Sequence, residues 1–591
     1  MTISSTLTGS EASSSHPRTT AGHALAHALH AEGVRMVFGM PGGHVLDIYD
    51  GLYDIPEIQT VLVRHEHAAA AMAAGWAQLT GEIAVVVATA GPGATNLVTA
   101  VAEAYIGSTP MVVLAGRATT TTSPRGASQE ASTEEVFRPI TKWSVRVDRP
   151  ELVTHAVRRA FAIARSGKPG PVYLDLPRDV LAEEIDVVDY EVSGRAPRVV
   201  PDQALVEAAA AHLRAARRPI VVCGGGVLAS AAWEEAVALA EAIDAPVLTS
   251  LSGRGSIADD HPLSVGGLGA HRNPVSKRML AEADVVLGLG TRFEEMETNW
   301  REGFVPAPDA TYIQVDIDPA EIGNSIPATI GIVGDLKVAA SRILDAITAA
   351  GPAPDAGATE RAERAERARA ELVEYTQQIA EVSARPATPL HPLTVITQVR
   401  SAFPRETSLA IDVGVLSQHM AGSSACFPVF EPRSVISPSS FYGMGYTTAA
   451  VPAAKLARPD APAICFTGDG SFQMSSHIIA TAAEYRLGVT WIVLNDNALG
   501  SIKDVQLYRF NGRVSDTDFA QQPDFAALAQ ASGCAGFHVE TVADLESALV
   551  QAQEANGRGI PAVIDCIVSP ERMRQSREHY PYYPPAAEGE L

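Results

Sequence analysis

Cysteine is scarce in this sequence, with five residues among 591. The five stand far apart and never in Cys-x-x-Cys spacing, which excludes a disulfide scaffold and a thiolate metal site and fits a reducing, cytoplasmic compartment (Cys223, Cys426, Cys465, Cys534 and Cys566). Long apolar runs are also missing, since none reaches about 18 residues without a charge, so no transmembrane helix is expected. The Ser/Thr-rich first 17 residues lack a basic start and an apolar core, and so they do not look like a signal peptide.

Positive charge is in short supply. Lys and Arg together number 45 against 68 Asp and Glu, which gives a formal net charge of −23. A surface of this sign repels nucleic acid and anionic membranes, so neither is expected as a partner. A phosphorylated small molecule is not excluded, because a local binding site can override the net charge.

Short β-branched runs alternate with Ala-rich helical stretches in three blocks of the chain. Each run is continuous and apolar, as in strands that are buried on both faces of a parallel sheet. The runs are Ala84–Thr89, Met111–Ala115 and Pro171–Asp175, then Pro219–Val222, Val285–Leu287 and Tyr312–Val315, then Leu409–Ile411, Ala463–Phe466 and Trp491–Leu494. A helical pattern from His67 to Leu79 is closed by Gly81 as a C-cap. The sequence therefore predicts an α/β protein with three doubly wound parallel-sheet domains.

Proline and glycine mark the seams between these blocks. Gly351–Asp355 opens a linker, and Pro386, Pro389 and Pro392 close it. Inside the linker, residues 359–382 carry charges of alternating sign at helical spacing, which is typical of a solvent-exposed connecting helix. The predicted division is a disordered tail at 1–19, domains at 20–190, 200–350 and 391–575, a linker with a charged helix at 351–390 and a C-terminal tail at 576–591.

A glycine turn with an acidic residue follows a predicted strand in the third block. The segment Gly468-Asp469-Gly470-Ser471 leads into a helix that runs to about Tyr485, and the next strand ends at Asn495-Asp496. Asp469 and Asp496 thus follow two strand ends, 27 residues apart, where doubly wound sheets bind ligands. Two carboxylates and a backbone carbonyl can hold Mg²⁺ while its remaining positions take diphosphate oxygens. Taken alone, Gly-Asp-Gly is equally a common turn.

The whole pattern resembles the thiamine-diphosphate motif of the pyruvate-decarboxylase-like enzymes. The resemblance implies that thiamine diphosphate and Mg²⁺ are cofactors, that Asp469 and Asp496 are side-chain metal ligands, and that Ala498 supplies a carbonyl. Many relatives have Asn where Asp496 stands, so this chain adds one negative charge at the metal. The implied fold has a pyrimidine-binding, a middle and a diphosphate-binding domain, in that order.

The segment Val61-Leu62-Val63-Arg64-His65-Glu66-His67 is similar to a second segment of the same enzymes. In that family a Glu at this point hydrogen-bonds the aminopyrimidine ring and promotes the tautomer that deprotonates the thiazolium carbon, which implies a catalytic role for Glu66. The alternative is a carboxylate that only stabilises the first turn of a helix. His65 and His67 flank Glu66, and each is more readily structural than catalytic. His67 is the better candidate for a substrate contact.

Further segments are very close to those of acetolactate synthases, a subgroup of this superfamily. They are Thr89–Asn96, Ser128–Glu130, Pro139–Lys142, Asp412–Gly414 and Gly443–Tyr446. The resemblance implies a catalytic role for Gln129 and makes Met444 the apolar support that bends the cofactor, with an ordinary core methionine as the alternative. The cofactor-binding residues it implies are Glu66, Gly91, Asn96, Val413, Gly414, Met444, Gly468, Gly470, Ser471 and Asn495.

Glycine-rich segments in the middle block resemble the nucleotide-binding domain of these enzymes. They are Gly224–Gly226, Gly267–His271, Gly288–Phe293 and Asp316–Pro319. That domain holds FAD in acetolactate synthases, the ADP part of coenzyme A or free ADP in acyl-CoA lyases, and nothing in other members, and all three alternatives stay open. The resemblance also implies a homodimer or homotetramer with sites at the interface between chains.

The segments that select the substrate fit neither subgroup in full. Acetolactate synthases usually carry a second arginine that meets the carboxylate of the acceptor 2-oxo acid, and Met296 stands in its place, where it cannot pair with a carboxylate. Acyl-CoA lyases typically have Asn-Glu-Gly-Ala-Asn where this chain has Asp412–Leu416. The leading expectation is an acetolactate-synthase-like carboligase or decarboxylase acting on a 2-oxo acid. The alternative is a 2-hydroxyacyl-CoA lyase or oxalyl-CoA decarboxylase, which cleaves an acyl-CoA.

Overall fold

The computed structural model describes residues 18–571, except Pro124, Val188, Ser193, Arg195, Glu302 and residues 352–354. The predicted C-terminal tail at 576–591 lies outside the described residues, as does the predicted N-terminal tail up to residue 17. Arg18 and Thr19, also assigned to that tail, begin a short strand instead. The domain boundaries drawn from the sequence stay a prediction.

The first part of the chain folds around a six-stranded parallel sheet in the order β3-β2-β4-β5-β7-β6, while β1 and β8 pair antiparallel beside it. Its strands are β1 (Arg18–Thr20), β2 (Met36–Gly39), β3 (Gln59–Leu62), β4 (Ala84–Ala88), β5 (Met111–Arg117), β6 (Trp143–Arg146), β7 (Pro171–Pro177) and β8 (Glu184–Asp186). Its helices are α1 (Ala21–Ala31), α2 (Leu46–Tyr53), α3 (Glu66–Thr80), α4 (Pro92–Thr95), α5 (Val98–Ile106), α6 (Thr133–Phe137), α7 (Val153–Arg165) and α8 (Arg178–Ala182).

The middle part repeats this architecture with the strand order β11-β10-β9-β12-β13-β14. Its strands are β9 (Pro219–Cys223), β10 (Val247–Thr249), β11 (Ser264–Gly267), β12 (Val285–Leu289), β13 (Thr311–Asp316) and β14 (Ile330–Val333). Its helices are α9 (Gln203–Ala215), α10 (Gly225–Ala229), α11 (Trp233–Ala242), α12 (Pro274–Ala281), α13 (Glu295–Thr298) and α14 (Leu336–Ala349).

The last part contains a long helix followed by a third sheet in the order β16-β15-β17-β18-β20-β19. Its strands are β15 (Ser408–Ile411), β16 (Val435–Ile436), β17 (Ala463–Gly468), β18 (Val489–Asn495), β19 (Ala535–Val539) and β20 (Ala562–Ile567). Its helices are α15 (Asp355–Ser383), α16 (Pro392–Ala402), α17 (Tyr446–Ala450), α18 (Pro452–Ala457), α19 (Asp469–Ser475), α20 (Ile478–Glu484), α21 (Gly500–Arg509), α22 (Phe525–Ala531) and α23 (Val542–Gly557).

Each apolar run that was predicted as a strand coincides with a strand of one of the three larger sheets. The described pairings in those sheets are parallel, which confirms the predicted class of three parallel-sheet α/β domains. Burial on both faces explains why the runs are continuously apolar, since no residue of β4 is more than 1% exposed. The carboxyl ends of the strands therefore meet at one edge of each sheet, where loops can gather functional side chains.

The helix patterns are confirmed in part. α3 ends as predicted at Gly81, which adopts the left-handed conformation with φ 75°. The single helix expected to run from Asp469 to about Tyr485 is instead two helices, α19 and α20, with a turn at Ser476 and His477. The Ser476 hydroxyl bonds the carbonyl of Gln473, three residues back, a local interaction that competes with the helical pattern.

The charged connecting helix is present as α15, but one of its faces is buried. Arg361 and Arg364 are each 4% exposed and donate to backbone carbonyls of the middle part, at Ala216, Pro219 and Met279. The expectation of a solvent-exposed helix is therefore wrong for this face. The pattern of alternating charges does not distinguish arginines that donate to buried carbonyls of a neighbouring domain from arginines that face water.

The first and third parts of the chain share one hydrophobic core. Side chains of β2 and α3 pack together with side chains of β16 and β18, for example Phe38, Trp76, Ile436 and Trp491. At the centre of this contact, a Cβ added to Gly75 would lie 3.1 Å from the carbonyl oxygen of Ala450. The two sheets are thus fixed relative to each other through α3, the helix that begins at Glu66.

Candidate functional site

Glu66 begins α3 shortly after the end of β3 at Leu62, at the carboxyl edge of the first sheet. Its side chain is buried, and its Oε2 accepts a hydrogen bond of 2.9 Å from Asn96 Nδ2. Gly93 approaches the other carboxylate oxygen so closely that an added Cβ would lie 3.3 Å from Oε1. The structure therefore brings Glu66 into contact with Asn96, the residue at the end of α4, although the sequence singled out the two residues separately.

Gln129 and Gly91 are also in contact at this edge. A Cβ on Gly91 would lie 2.5 Å from the carbonyl oxygen of Gln129, so only glycine fits there. Gln129 itself adopts the left-handed conformation with φ 60°, which is unusual for a residue with a side chain. Such conformations persist where the surroundings impose them, and they cluster at functional sites.

His44 joins this edge although the sequence analysis did not select it. Its Nδ1 lies 3.5 Å from Thr89 Oγ1. Burial and then Arg178 lower the pKa of His44, so the imidazole is neutral near pH 7. The signal that could have found it is the glycine-rich turn after β2, Gly39-Met40-Pro41-Gly42-Gly43.

His67 lies in a cluster of three imidazoles. The His65 ring is 6.5 Å from that of His67 and 5.4 Å from that of His477, centroid to centroid. Burial, with the neighbouring histidines as a second cause, lowers the pKa of His67 and of His477 to about 4. Both rings are therefore neutral near pH 7. The cluster also joins the start of α3 to the turn before α20.

Asp469 is buried at the carboxyl edge of the third sheet. Its Oδ1 accepts from the N–H of Gly470 at 2.9 Å, and its Oδ2 accepts from the N–H of Ala498 at 3.2 Å and from Gln522 Nε2 at 2.7 Å. Burial and then the charge of Asp496 raise its pKa to about 7. The structure thus places Asp496 and Ala498 beside Asp469, and it adds Gln522, which carries no recognisable motif.

This constellation suits a cation. Among the described residues no group of three or more His, Cys, Asp or Glu side chains could enclose a metal, so a dedicated protein cage is absent from that part. Mg²⁺ does not need such a cage, since it is commonly held by one or two carboxylates together with phosphate oxygens and water. Gln522 Oε1 is buried next to Asp469 with no hydrogen-bond partner among the described residues. The buried carboxylate of Asp469, the half-buried one of Asp496 and the unpaired amide oxygen of Gln522 fit such an ion.

The space beside this pair is open and lined by glycine. A Cβ added to Gly468 would meet no atom within 4 Å, whereas one on Gly470 would lie 3.0 Å from Leu499 Cδ2 and 3.5 Å from the Met444 methyl group. Ser471 Oγ donates to the carbonyl of Val413 at 3.2 Å, and Gly414 follows with φ 143°. A phosphate-bearing group could therefore approach the backbone at Gly468 without meeting a side chain. Asn495 turns away from this space, because its amide donates to Asp565 at 2.9 Å.

The backbone on both sides of Met444 is held in place by hydrogen bonds to two carboxylates. The N–H of Gly445 donates to Asp412 Oδ1 at 2.9 Å, and the N–H of Gly443 donates to Glu103 Oε2 at 3.0 Å. Both carboxylates are buried. Glu103 belongs to α5 of the first part of the chain, so Met444 is positioned from two parts at once. Sequence reasoning missed Glu103 because it is a single acidic residue in an otherwise apolar helix.

A cavity of about 370 Å³ lies where the three parts of the chain meet. From the middle part it is lined by Gly225, Gly226, Gly290, Thr291, Arg292 and Asp316, which belong to the segments singled out as nucleotide-binding. Thr291 Oγ1 is buried without a hydrogen-bond partner in the described part of the chain. The volume and the unpaired hydroxyl fit a polar organic ligand.

Comparison with known proteins agrees with this geometry. Three family models match in chain order: the N-terminal TPP binding domain of thiamine pyrophosphate enzymes at residues 19–136, their central domain at 206–345 and their C-terminal TPP binding domain at 413–566. The chain belongs to the thiamine-diphosphate-dependent enzymes. Within them it falls in the superfamily of acetolactate synthases and pyruvate-decarboxylase-like enzymes, as the sequence motifs predicted.

Its relatives include acetolactate synthases of bacteria and archaea. The chain is 34% identical to the probable acetolactate synthase large subunit of Methanocaldococcus jannaschii, over 93% of this chain and 91% of that protein. It is 35% identical to the acetolactate synthase isozyme 3 large subunit of Escherichia coli, over 90% and 91%. The acetolactate synthase large subunit of Corynebacterium glutamicum is 33% identical, over 93% and 87%. These relatives give no support to the acyl-CoA lyase alternative.

No helix in the described part of this enzyme is long and apolar enough to cross a membrane.

Proposed function

We propose that this protein is a thiamine-diphosphate- and Mg²⁺-dependent carboligase of the acetolactate synthase type that acts on a 2-oxo acid. The observation that carries the proposal is the pair of buried carboxylates at two sheet edges. Glu66 is held by Asn96 at the first sheet, and Asp469 stands beside Asp496 at the third. The family gives each of these positions a role, and the contacts around each are compatible with it.

Glu66 would accept the hydrogen bond of the aminopyrimidine ring, and Asn96 holds its carboxylate in place for that purpose. Asp469, Asp496 and the carbonyl of Ala498 would hold Mg²⁺. Met444 would pack against the bound cofactor, since the backbone on both sides of it is fixed. The cofactor supplies a nucleophilic carbon that attacks the carbonyl of the 2-oxo acid. The chain's own part is to bind, to orient and to hold the proton at Glu66.

A second copy of the chain would complete each site. In this family the first domain of one chain faces the third domain of another, and exposed apolar side chains around the third-sheet edge support this arrangement. Phe441 is 46%, Met474 61% and Ile502 53% exposed. Each lies within five positions of a proposed site residue, namely Met444, Asp469 and Ala498. Apolar surface of this kind beside a functional site is typical of an interface. We therefore infer a homodimer or a homotetramer.

The cavity where the three parts of the chain meet would hold a nucleotide-containing ligand. FAD is the first candidate, and an ADP or coenzyme A moiety is the second. The relatives' names do not distinguish these ligands. The position of the glycine segments around one cavity supports a nucleotide, because glycine allows the backbone to approach a phosphate.

The residue at position 296 bears on the acceptor of the reaction. Met296 lies half-buried in α13, in the place where the family's carboxylate-binding arginine is expected. An unpaired carboxylate in a pocket from which water is excluded costs several kcal/mol. We therefore infer a 2-oxo acid donor and a neutral acceptor such as an aldehyde or ketone.

Cofactor-free protein tests the proposal directly. Calorimetric titration with thiamine diphosphate should show binding that requires Mg²⁺, and pyruvate should be consumed only when both are present. Full consumption of pyruvate by a metal-stripped, cofactor-free preparation would refute the proposal. The compartment is inferred to be the cytoplasm from the five cysteines, all of which are buried and none of which forms a disulfide bond.

A further inference from the structure

Gln522 is carried by a segment that is paired with the residues that follow β18. Just before Gln522, residues 517–519 run antiparallel to residues 497–499, and two backbone hydrogen bonds of 2.7 and 3.1 Å join them. Just after it, Asp524 caps the first turn of α22. The backbone is thus anchored on both sides of Gln522, and its side chain is held in a defined place beside Asp469.

The carboxylate of Asp469 accepts hydrogen bonds unequally on its two oxygens. Oδ1 accepts from the N–H of Gly470 at 2.9 Å, whereas Oδ2 accepts from the N–H of Ala498 at 3.2 Å and from Gln522 Nε2 at 2.7 Å. An ionised carboxylate has about four acceptor positions, two on each oxygen. The bonds within the described part of the chain therefore fill both positions of Oδ2 and leave one on Oδ1.

The neighbouring carboxylate fixes which way the Gln522 amide points. An ionised carboxylate only accepts hydrogen bonds, so the NH₂ group and not the oxygen of Gln522 has to face Asp469. The amide oxygen Oε1 is buried and has no hydrogen-bond partner among the described residues. Mg²⁺ usually keeps several of its waters, and such a water could donate to Oε1. Both ends of the amide therefore suit a place beside a hydrated cation.

We propose that Gln522 is a specificity-determining residue that keeps Asp469 a monodentate ligand and thereby favours Mg²⁺ over Ca²⁺. Mg²⁺ demands near-ideal octahedral geometry, whereas Ca²⁺ takes about 6–8 oxygen ligands and accepts a carboxylate through one or both of its oxygens. Because Gln522 and Ala498 occupy Oδ2, only Oδ1 is offered to the cation. The inference rests on the proposed function, because it needs a divalent cation at Asp469.

The test uses the full chain stripped of cofactor and metal. Thiamine diphosphate is titrated by calorimetry at a series of Mg²⁺ or Ca²⁺ concentrations, which gives the concentration of each cation needed for half-maximal binding. In Gln522→Met, which keeps the length of the side chain but cannot donate, the requirement for Mg²⁺ should rise about tenfold, the scale for residues that orient a metal ligand. The requirement for Ca²⁺ should stay within about twofold, because Ca²⁺ accepts either mode of carboxylate binding.

Two further variants separate this role from a general effect on the fold. Gln522→Asn keeps an amide but is one methylene shorter, so it should fail to reach Oδ2 and should shift the preference in the same direction. Gln521→Met makes the same change at the neighbouring, exposed glutamine and is the matched control, which should leave both cation requirements unchanged. Urea unfolding midpoints show whether each variant is folded, and if Gln522→Met is not, Gln522→Asn decides by the same criteria.

An unchanged requirement for Mg²⁺ in Gln522→Met would overturn the inference. An equal rise for both cations would overturn it too, because a general disturbance of the site weakens both together. Neither result touches the proposed function, since thiamine diphosphate would still bind with a divalent cation. Unmodified protein that binds thiamine diphosphate without any divalent cation, or does not bind it at all, would overturn the proposed function and the inference together.

Discussion

Glu103 and Asp412 hold the backbone on opposite sides of Met444. Glu103 accepts from the N–H of Gly443 at 3.0 Å and Asp412 from the N–H of Gly445 at 2.9 Å. Glu103 also accepts from the N–H of Ser439. The carboxylate of Glu103 comes from the first part of the chain, while Met444 and Asp412 belong to the third. The position proposed to support the cofactor therefore depends on the contact between these two parts.

Replacing Glu103 by Gln should weaken cofactor binding. A glutamine can accept one of the two backbone bonds, but its NH₂ group then faces the second N–H and leaves it unsatisfied in a buried place. An unsatisfied buried group costs about 1–3 kcal/mol, and we expect the affinity for thiamine diphosphate to fall about tenfold. Calorimetric titration measures the affinity, with Glu57→Gln at an exposed position as the control. Unaltered affinity in a folded Glu103→Gln protein would contradict the role given to this contact.

Replacing Glu66 by Gln should preserve the fold and the cofactor while slowing the chemistry. The amide cannot hold the proton that the carboxylate holds, so the rate should drop by about 10²-fold or more. Hydrogen–deuterium exchange at the thiazolium carbon measures this step without any substrate. Exchange at the normal rate would show that Glu66 does not promote the deprotonation of the thiazolium carbon.

Mixing two inactive variants tests whether sites are shared between chains. Asp469→Ala should lose the cofactor, because diphosphate and carboxylates repel one another without the cation. If the first domain of one chain faces the third domain of another, a mixture of Glu66→Gln and Asp469→Ala proteins should regain some activity through chain exchange. Light scattering gives the assembly state independently, and an active monomer would exclude the shared site.

Replacing Met296 by Arg should improve the use of a charged acceptor. We expect the unmodified enzyme to form acetolactate from pyruvate slowly and to join pyruvate to a neutral aldehyde faster. Met296→Arg should raise acetolactate formation about tenfold or more, since hydrogen bonds to charged groups contribute about 1.5–3 kcal/mol. Met296→Leu keeps an apolar side chain and is the matched control. Efficient acetolactate formation by the unmodified enzyme, unaffected by Met296→Arg, would show that the acceptor pocket is misassigned.

The histidine cluster predicts how stability depends on pH. In the folded protein His67 and His477 stay neutral down to about pH 4, whereas in the unfolded chain they protonate near the usual pKa of 6.5. Between these values the unfolded chain binds more protons, so the free energy of unfolding should decrease as the pH falls from 6.5 to 4. Above pH 6.5 the two groups contribute no slope.

Urea unfolding midpoints measured across this range provide the check. The double variant His67→Gln/His477→Gln should show a flatter dependence than the unmodified protein, while His30→Gln at an exposed site should not. An equally steep decline in the double variant would assign the acid sensitivity to other groups.

The sequence was sufficient for those features whose residues lie close together in the chain. The strand runs were recognisable because burial on both faces requires uninterrupted apolar residues, and Asp469 was recognisable because a glycine turn surrounds it. Contacts between residues that lie far apart in the sequence were not recognisable. Glu103 accepts a hydrogen bond from the N–H of Gly443, 340 residues further on. The sequence around neither position predicts this contact. The same holds for Gln522, which meets Asp469 across 53 residues.

His44 illustrates an intermediate case. Its glycine-rich loop was visible, but whether the imidazole faces the site depends on which strands become neighbours. Placing β2 between β3 and β4 is a property of the sheet order, which single strand patterns do not specify. The buried face of α15 was hidden for a similar reason, since only its neighbours show that Arg361 and Arg364 donate to carbonyls.

The cavity where the three parts of the chain meet links ligand binding to the stability of their arrangement. Residues of all three parts of the chain line it, among them Arg165, Asp316 and Arg433. A ligand that touches all three binds only while they are assembled, so it adds a free energy of RT ln(1 + [L]/Kd) to that arrangement alone. Whatever fills the cavity would thereby stabilise the assembled arrangement of the three parts, and the melting temperature of the protein should rise with the ligand concentration.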